Sequence, residues 1–198
     1  MKVPLLDLKP TLEELHDEIV EAVTKVIDST QYIMGPEVEG LEKEIASYCG
    51  TTDAIGVSSG TDALLLALMV LEVGPGDLVL VSNFSFFATA GVVSRLNATP
   101  VFIDIDPQTF NIDPDCLRRS LSDMDIKTLK RVKAIIPVHL YGQCSDMEEI
   151  LKIAKGYNIP VIEDGAQAIG AEHLINGQKR SAGSSGDFGC FSFFPSKN

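Results

Sequence analysis

From about residue 54 to the end of the chain, short continuous apolar runs alternate with stretches of helical periodicity, and this rhythm limits the fold more than any other feature. The strand candidates are Ala54 to Val57, Leu78 to Val81, Val101 to Ile105, Ala134 to Val138 and Val161 to Glu163, and Phe188 to Ser192 is strand-like. Between the first five lie helix candidates: Asp62 to Leu71, Phe87 to Leu96, Pro114 to Leu121 and Asp146 to Tyr157. A strand that is apolar at every position has no solvent face, so both faces of its sheet must be covered. The pattern predicts an α/β fold, a mainly parallel sheet with helices on both faces. In such sheets ligands bind beyond the carboxyl ends of the strands.

The segment before this alternation reads differently. Leu12, Leu15, Ile19, Val20, Val23, Val26 and Ile27 recur at helical spacing over residues 11 to 29. After a turn at Gly35-Pro36, Val38, Leu41, Ile45 and Tyr48 continue the pattern to a stop at Gly50. There are no internal repeats, low-complexity segments or linkers rich in Pro, Gly and Ser.

Charge and residue usage exclude several functions. A chain of 198 residues is long enough for one well-buried domain, and its formal net charge of −12 disfavours general affinity for nucleic acid or anionic membrane. The dense basic stretch Lys127, Lys130, Arg131 and Lys133 reads as a solvated face before a strand. Cys49, Cys116, Cys144 and Cys190 include no C-x-x-C pair, which fits reduced thiols better than a disulfide framework or a zinc site. His16, His139 and His173 show no metal-ligand spacing. The longest apolar run, Ala63 to Leu71, is too short to span a bilayer, and the first residues lack the apolar core of a signal peptide. Cytoplasm is the expected location.

The candidate functional residues fall at strand ends or in the turns that follow. Ser58-Ser59-Gly60-Thr61-Asp62 joins a strand to a helix, where free amides, the helix dipole and a glycine favour a phosphate. Thr61 or Asp62 acting only as helix N-cap is the competing reading. Phe84-Ser85-Phe86-Phe87-Ala88-Thr89 follows the next strand and offers an aromatic ring to a flat ligand, or only core packing. Asp164 ends an apolar strand, either as a buried acid or as a helix cap before Gly165. Gln167 lies three positions on, within reach of a ligand oxygen or of a nearby backbone group. Lys197 follows Phe193-Phe194-Pro195-Ser196, an apolar setting in which surface lysines are not expected. Ser192 has a hydroxyl able to share a phosphate with Thr61.

An acid at one strand end and a lysine beyond another is the pairing that pyridoxal phosphate chemistry requires. The lysine amine condenses with the cofactor aldehyde, and the acid keeps the pyridine nitrogen protonated so that the ring accepts electrons. Asp187-Phe188-Gly189 spells a kinase magnesium motif, but no glycine-rich loop, V-A-I-K or H-R-D accompanies it, and it is dismissed.

In order along the chain, Pro4-Leu5-Leu6-Asp7-Leu8, Gly35-Pro36-Glu37-Val38, Ser59-Gly60-Thr61-Asp62-Ala63-Leu64 and Asp104-Ile105-Asp106 lead to His139-Leu140-Tyr141-Gly142. Glu163-Asp164-Gly165-Ala166-Gln167 and Phe191-Ser192-Phe193-Phe194-Pro195-Ser196-Lys197-Asn198 complete the set. Together these resemble the DegT/DnrJ/EryC1/StrS sugar aminotransferases, enzymes of fold type I that depend on pyridoxal 5'-phosphate. The resemblance implies that Lys197 binds the cofactor aldehyde and shuttles the substrate proton, and that Asp164 faces the pyridinium nitrogen. It further implies Gln167 beside the phenolic oxygen, Gly60, Thr61 and Ser192 on the phosphate, and Phe86 stacked on the ring. Family members move the amino group of glutamate to a keto sugar on a nucleotide diphosphate. The Gln31 to Pro36 loop and the C-terminal motif look closest to enzymes acting on 3-keto nucleotide sugars of surface polysaccharides. Gly165 stands where the family commonly has alanine, a change expected to loosen the backbone.

The resemblance also divides the chain, into an N-terminal helix and active-site loop at 1–36 and a cofactor-binding large domain at 37–198. It implies that the large domain is truncated here, with a smaller C-terminal domain absent, so that 198 residues alone are inactive or poorly folded. The full-length enzyme is expected to be a homodimer. Two alternatives stand beside the aminotransferase: a related dehydratase, disfavoured because such relatives carry histidine in place of Lys197, and a non-catalytic or regulatory member.

Overall fold

The computed structural model describes residues 3–4 and 6–197. Leu5 and Asn198, which enter the first and last motifs quoted above, lie outside the described residues. The chain divides into two compact units, residues 1–56 and 57–198.

In the first unit, α1 spans Lys9–Ser29 and α2 spans Pro36–Cys49. Pro10 in the first turn of α1 and Pro36 at the start of α2 lie where a missing N–H costs nothing. Gly50 ends α2 in the left-handed region, as its position after the last periodic residue predicts. Lys25 Nζ, on α1, lies 2.7 Å from Glu37 Oε1 at the start of α2.

The second unit is the α/β body. Its elements are α3 (Gly60–Val70), β1 (Leu78–Ser82), α4 (Phe87–Arg95), β2 (Thr99–Ile103), α5 (Pro114–Ser122), α6 (Ile126–Leu129) and β3 (Val132–Ile136). There follow α7 (Met147–Tyr157), β4 (Ile162–Asp164), β5 (Glu172–Ile175), β6 (Gln178–Ser181) and β7 (Phe188–Cys190). Parallel ladders join β2, β1 and β3, with Leu80 opposite both Val101 and Ile135. Parallel bridges at Ile135–Val161 and Val138–Asp164 carry the sheet to β4, which pairs in parallel with β7. The spatial order is therefore β2-β1-β3-β4-β7.

Alternate residues of the central strands feed two cores. Leu78, Leu80 and Ile135 pack with Leu117 and Leu121 of α5 and with Met147, Ile150 and Ile153 of α7. Val79, Val81, Ala134 and Ile136 pack with Leu64 and Leu68 of α3 and with Val92 and Val93 of α4. All five residues of β1 are buried, as a strand covered on both faces must be. Each fully buried Leu or Ile stabilises the fold by about 1.5–3 kcal/mol.

One strand expectation needs correction. Ala54 to Val57 form no strand; Ile55 is exposed, and the Gly56 N–H donates to Glu42 Oε1 at 2.7 Å instead of to a ladder. Lys197 lies beyond β7, which stops at Cys190, in a turn where its N–H donates to Phe194 O at 2.8 Å. The antiparallel β5–β6 hairpin was not foreseen, although Asn176-Gly177 is the strongest short signal for a two-residue hairpin turn. The basic stretch behaves as expected, with Lys127, Lys130 and Arg131 exposed on α6 and its exit.

Candidate active site

Asp164 is the last residue of β4 and is only 5% exposed. Its backbone is fixed by the next strand segment: Asp164 N–H donates to Pro137 O at 2.9 Å, and His139 N–H donates to Asp164 O at 3.0 Å. Both carboxylate oxygens are anchored. Thr89 Oγ1, itself buried on α4, donates to Oδ2 at 2.7 Å, and the Ala166 N–H donates to Oδ1 at 3.2 Å. Burial pushes this carboxyl above its ordinary range, against the pull of the Thr89 hydroxyl, the Ala166 N–H and the charge of Lys197. Asp164 is thus a buried acid rather than a helix cap, since no helix follows it.

Glu163 has no exposure at all and makes four hydrogen bonds. Its Oε2 accepts from His139 Nε2 at 2.7 Å and from Gly183 N at 2.8 Å. Its Oε1 accepts from Ser185 N at 2.7 Å and from Gly186 N at 2.6 Å. His139 Nδ1 accepts from Ser145 N at 3.1 Å, so the proton of the neutral ring is on Nε2 and points at Glu163. Burial works to raise the Glu163 carboxyl, but the hydrogen bond from His139 and those from the 183–186 loop outweigh it and hold it below the usual range. Asp187 has a structural task, pairing with both backbone groups of Val161: Asp187 Oδ2 accepts from Val161 N, and Asp187 N donates to Val161 O, each at 2.8 Å.

Lys197 is half-buried, and its Nζ lies 5.8 Å from the centroid of the Phe86 ring, within the range of a cation–π contact. Phe86 is the N-cap residue of α4 and is 70% exposed, so it is not a core phenylalanine. The apolar setting expected around Lys197 is not buried: Phe193 and Phe194 are 58% and 67% exposed.

The turn before α3 meets the segment after β7. A Cβ built on Gly60 would stand 2.8 Å from Ser192 Cβ and 2.9 Å from Phe191 O, so only glycine permits this approach. Neither Thr61 nor Asp62 is the helix cap. Ser59 takes that position, its Oγ accepting from Asp62 N at 3.1 Å, while the Asp62 carboxylate is bound back by Ser58, Ser59 and, at 3.9 Å, Arg95. Gly165 lies against Phe191. Its missing Cβ leaves room for the Phe191 ring, whose Cε1 would lie 2.9 Å from that atom. Gln167 Oε1 accepts from Tyr141 N at 2.9 Å, an interaction that orients the side-chain amide and holds Tyr141 in the left-handed region (φ 53°).

The structure sets Lys197 beside Phe86 and Gly60 against Ser192, and it buries Asp164 at the carboxyl end of β4. Sequence reasoning missed Thr89, His139 and Glu163 as parts of this assembly. Their signal in the sequence was their place in the quoted stretches Phe84 to Thr89, His139 to Gly142 and Glu163 to Gln167.

A family model described as the DegT/DnrJ/EryC1/StrS aminotransferase family matches residues 13–198. The chain belongs to this family. Over all 198 residues it is 47% identical to a Geobacillus stearothermophilus protein named pleiotropic regulatory protein, covering 50% of it. Over 196 residues, 99% of this chain, it is 46% identical to a UDP-N-acetyl-3-dehydro-alpha-D-glucosamine 3-aminotransferase of Acidithiobacillus ferrooxidans, again covering 50%. Among solved structures, DesV of S. venezuelae superposes with a TM-score of 0.89 at 40% identity, over 99% of this chain and 50% of that one. The chain spans about half the length of the relatives it matches.

The family is one of pyridoxal-phosphate-dependent sugar aminotransferases. The donor set present here fits such a group. A buried carboxylate penalised by desolvation is relieved by a cationic ring N–H. The Gly60 approach sets the N-terminus of α3 against Ser192, an arrangement that would suit an anion. An exposed aromatic ring and an amine stand side by side.

Proposed function

We propose that this chain is the cofactor-binding part of an aminotransferase that moves an amino group from glutamate to a keto sugar carried on a nucleotide diphosphate. The single observation that carries the reading is the position of Lys197 Nζ over the Phe86 ring, in the unit that buries Asp164 at the end of β4. Lys197 Nζ would hold the carbonyl carbon of pyridoxal 5'-phosphate and, once the substrate amine has displaced it there, would take up and return the proton of the substrate carbon. Asp164 holds the ring nitrogen in its protonated form. Gly60, Thr61 and Ser192 would hold the phosphate, Phe86 would stack on the ring, and Gln167 would serve the phenolic oxygen. When bound, the cofactor supplies the electron sink for the carbanion.

The substrate class rests on relatives such as the A. ferrooxidans enzyme, whose name specifies a UDP-linked 3-keto sugar. That supports a role in making amino sugars for surface polysaccharide. A homodimer is supported by α1, whose Leu12, Ile19, Val20, Val23 and Ile27 are each 45–56% exposed, an apolar stripe that a helix normally covers. Among the described residues no helix is long and apolar enough to cross a membrane, which agrees with a cytoplasmic site of action.

The deciding assay supplies glutamate, pyridoxal phosphate and a panel of keto nucleotide sugars to a protein in which this chain is extended to the length of its relatives. Formation of 2-oxoglutarate matched by an aminated sugar is expected. No transfer to any panel member by protein that holds the cofactor would count against the reading. The name of the G. stearothermophilus relative favours a second, regulatory reading. Its test is a DNA gel shift at low and moderate salt, and the net charge of −12 opposes it.

A further inference from the structure

The donor to the Asp164 carboxylate is itself the end of a hydroxyl chain. Ser85 Oγ lies 2.8 Å from Thr89 Oγ1, and Thr89 Oγ1 lies 2.7 Å from Asp164 Oδ2. An ionised carboxylate only accepts, so the single hydroxyl proton of Thr89 goes to Asp164, and Ser85 must then donate to Thr89. The direction of the whole chain follows from the charge at its end. Thr89 is 1% exposed, whereas Ser85 is half-buried, and both line a cleft of about 380 Å³ beside Phe86. The residues linked are 75 positions apart in the chain, so the contact depends on how the first turn of α4 is set against the end of β4.

We infer that Thr89, with Ser85 behind it, is a positioning residue that fixes the plane of the Asp164 carboxylate and favours its charged form. The inference rests on the reading of Asp164 as the partner of a cationic aromatic nitrogen. With Oδ2 bound to Thr89 and Oδ1 to Ala166 N–H, the carboxylate is held at both oxygens, and each keeps a lone pair for a further donor. The other groups around it are His139 on the β3 side, Lys197 in the C-terminal turn, and Cys190 on β7. Glu163, its neighbour along β4, is occupied by His139 and the 183–186 loop. Among these groups Thr89 is the one whose side chain touches the carboxylate.

The experiment compares Thr89→Val, Thr89→Ser, Ser85→Ala and Lys197→Ala in the full chain. Two quantities are read: the titration of the Asp164 carboxyl by 13C NMR without cofactor, and the dissociation constant of pyridoxal phosphate by equilibrium dialysis. Valine keeps the shape of threonine and removes the donor, so the Asp164 midpoint moves up and the cofactor binds about tenfold more weakly. Serine restores both, and Ser85→Ala moves both in the same direction by less. Circular dichroism reports whether each variant folds. Should Thr89→Val not fold, Ser85→Ala decides, and an unmoved midpoint there overturns the relay. An unchanged midpoint and affinity in folded Thr89→Val, with affinity lost in Lys197→Ala, overturns the relay and leaves the cofactor site standing. Unchanged affinity in both Thr89→Val and Lys197→Ala overturns the two readings together.

Discussion

His139 and Glu163 face each other with no exposure of either side chain, Nε2 lying 2.7 Å from Oε2. Glu163 receives donors at both oxygens, two on each. A glutamine there places its NH₂ against two N–H donors whichever way the amide is turned. We expect Glu163→Gln to destabilise the fold by about 3 kcal/mol or more, measured by denaturant unfolding at neutral pH.

The same pair sets an acid limit. The folded-state pKa of Glu163 lies below its ordinary 4.5, so its contribution is complete above about that pH and is lost as pH falls through the lower folded value. Stability curves recorded between pH 6 and pH 3 should therefore fall less steeply in Glu163→Gln than in the parent. Parallel curves would remove Glu163 from the acid response.

Lys197 has its amine beside the Phe86 ring, where a cofactor carbonyl is proposed to bind. Borohydride treatment of the loaded protein should fix the cofactor mass on the peptide that contains Lys197. Lys197→Ala should lose both that mass and the visible absorption band. Labelling at a different lysine would displace the assignment.

Gly60 touches the Ser192 segment where a Cβ would stand 2.8 Å from Ser192 Cβ. Gly60→Ala must push that segment away, an overpacking that costs about 1–3 kcal/mol. Affinity for pyridoxal phosphate should drop at least about tenfold, because the phosphate contacts separate. Retained affinity would place the anion elsewhere.

Asp164→Asn keeps the shape of the side chain and removes its charge. Cofactor binding should remain measurable while turnover falls by about a hundredfold or more, since a neutral amide does not hold the ring nitrogen protonated. Parent-like turnover would contradict the electron-sink role.

Much of this was legible in the residues alone, and the reason is that periodicity is local. The all-apolar run Leu78 to Val81 between helical stretches is enough to place a strand inside a two-faced sheet, and β1 proved to be buried throughout. Residue chemistry likewise pointed to Asp164 and Lys197, since a carboxylate in an apolar strand demands a partner. The Ala54 to Val57 run misled because a strand also needs a neighbour to bond with, and its Gly56 N–H bonds to Glu42 instead. What only the tertiary structure decided are the contacts between residues distant in sequence: Thr89 on Asp164, His139 on Glu163, and Ser192 against Gly60. Hydrogen bonds need alignment within a few tenths of an ångström, and that is set by strand register and helix packing across the whole unit, which no local pattern encodes.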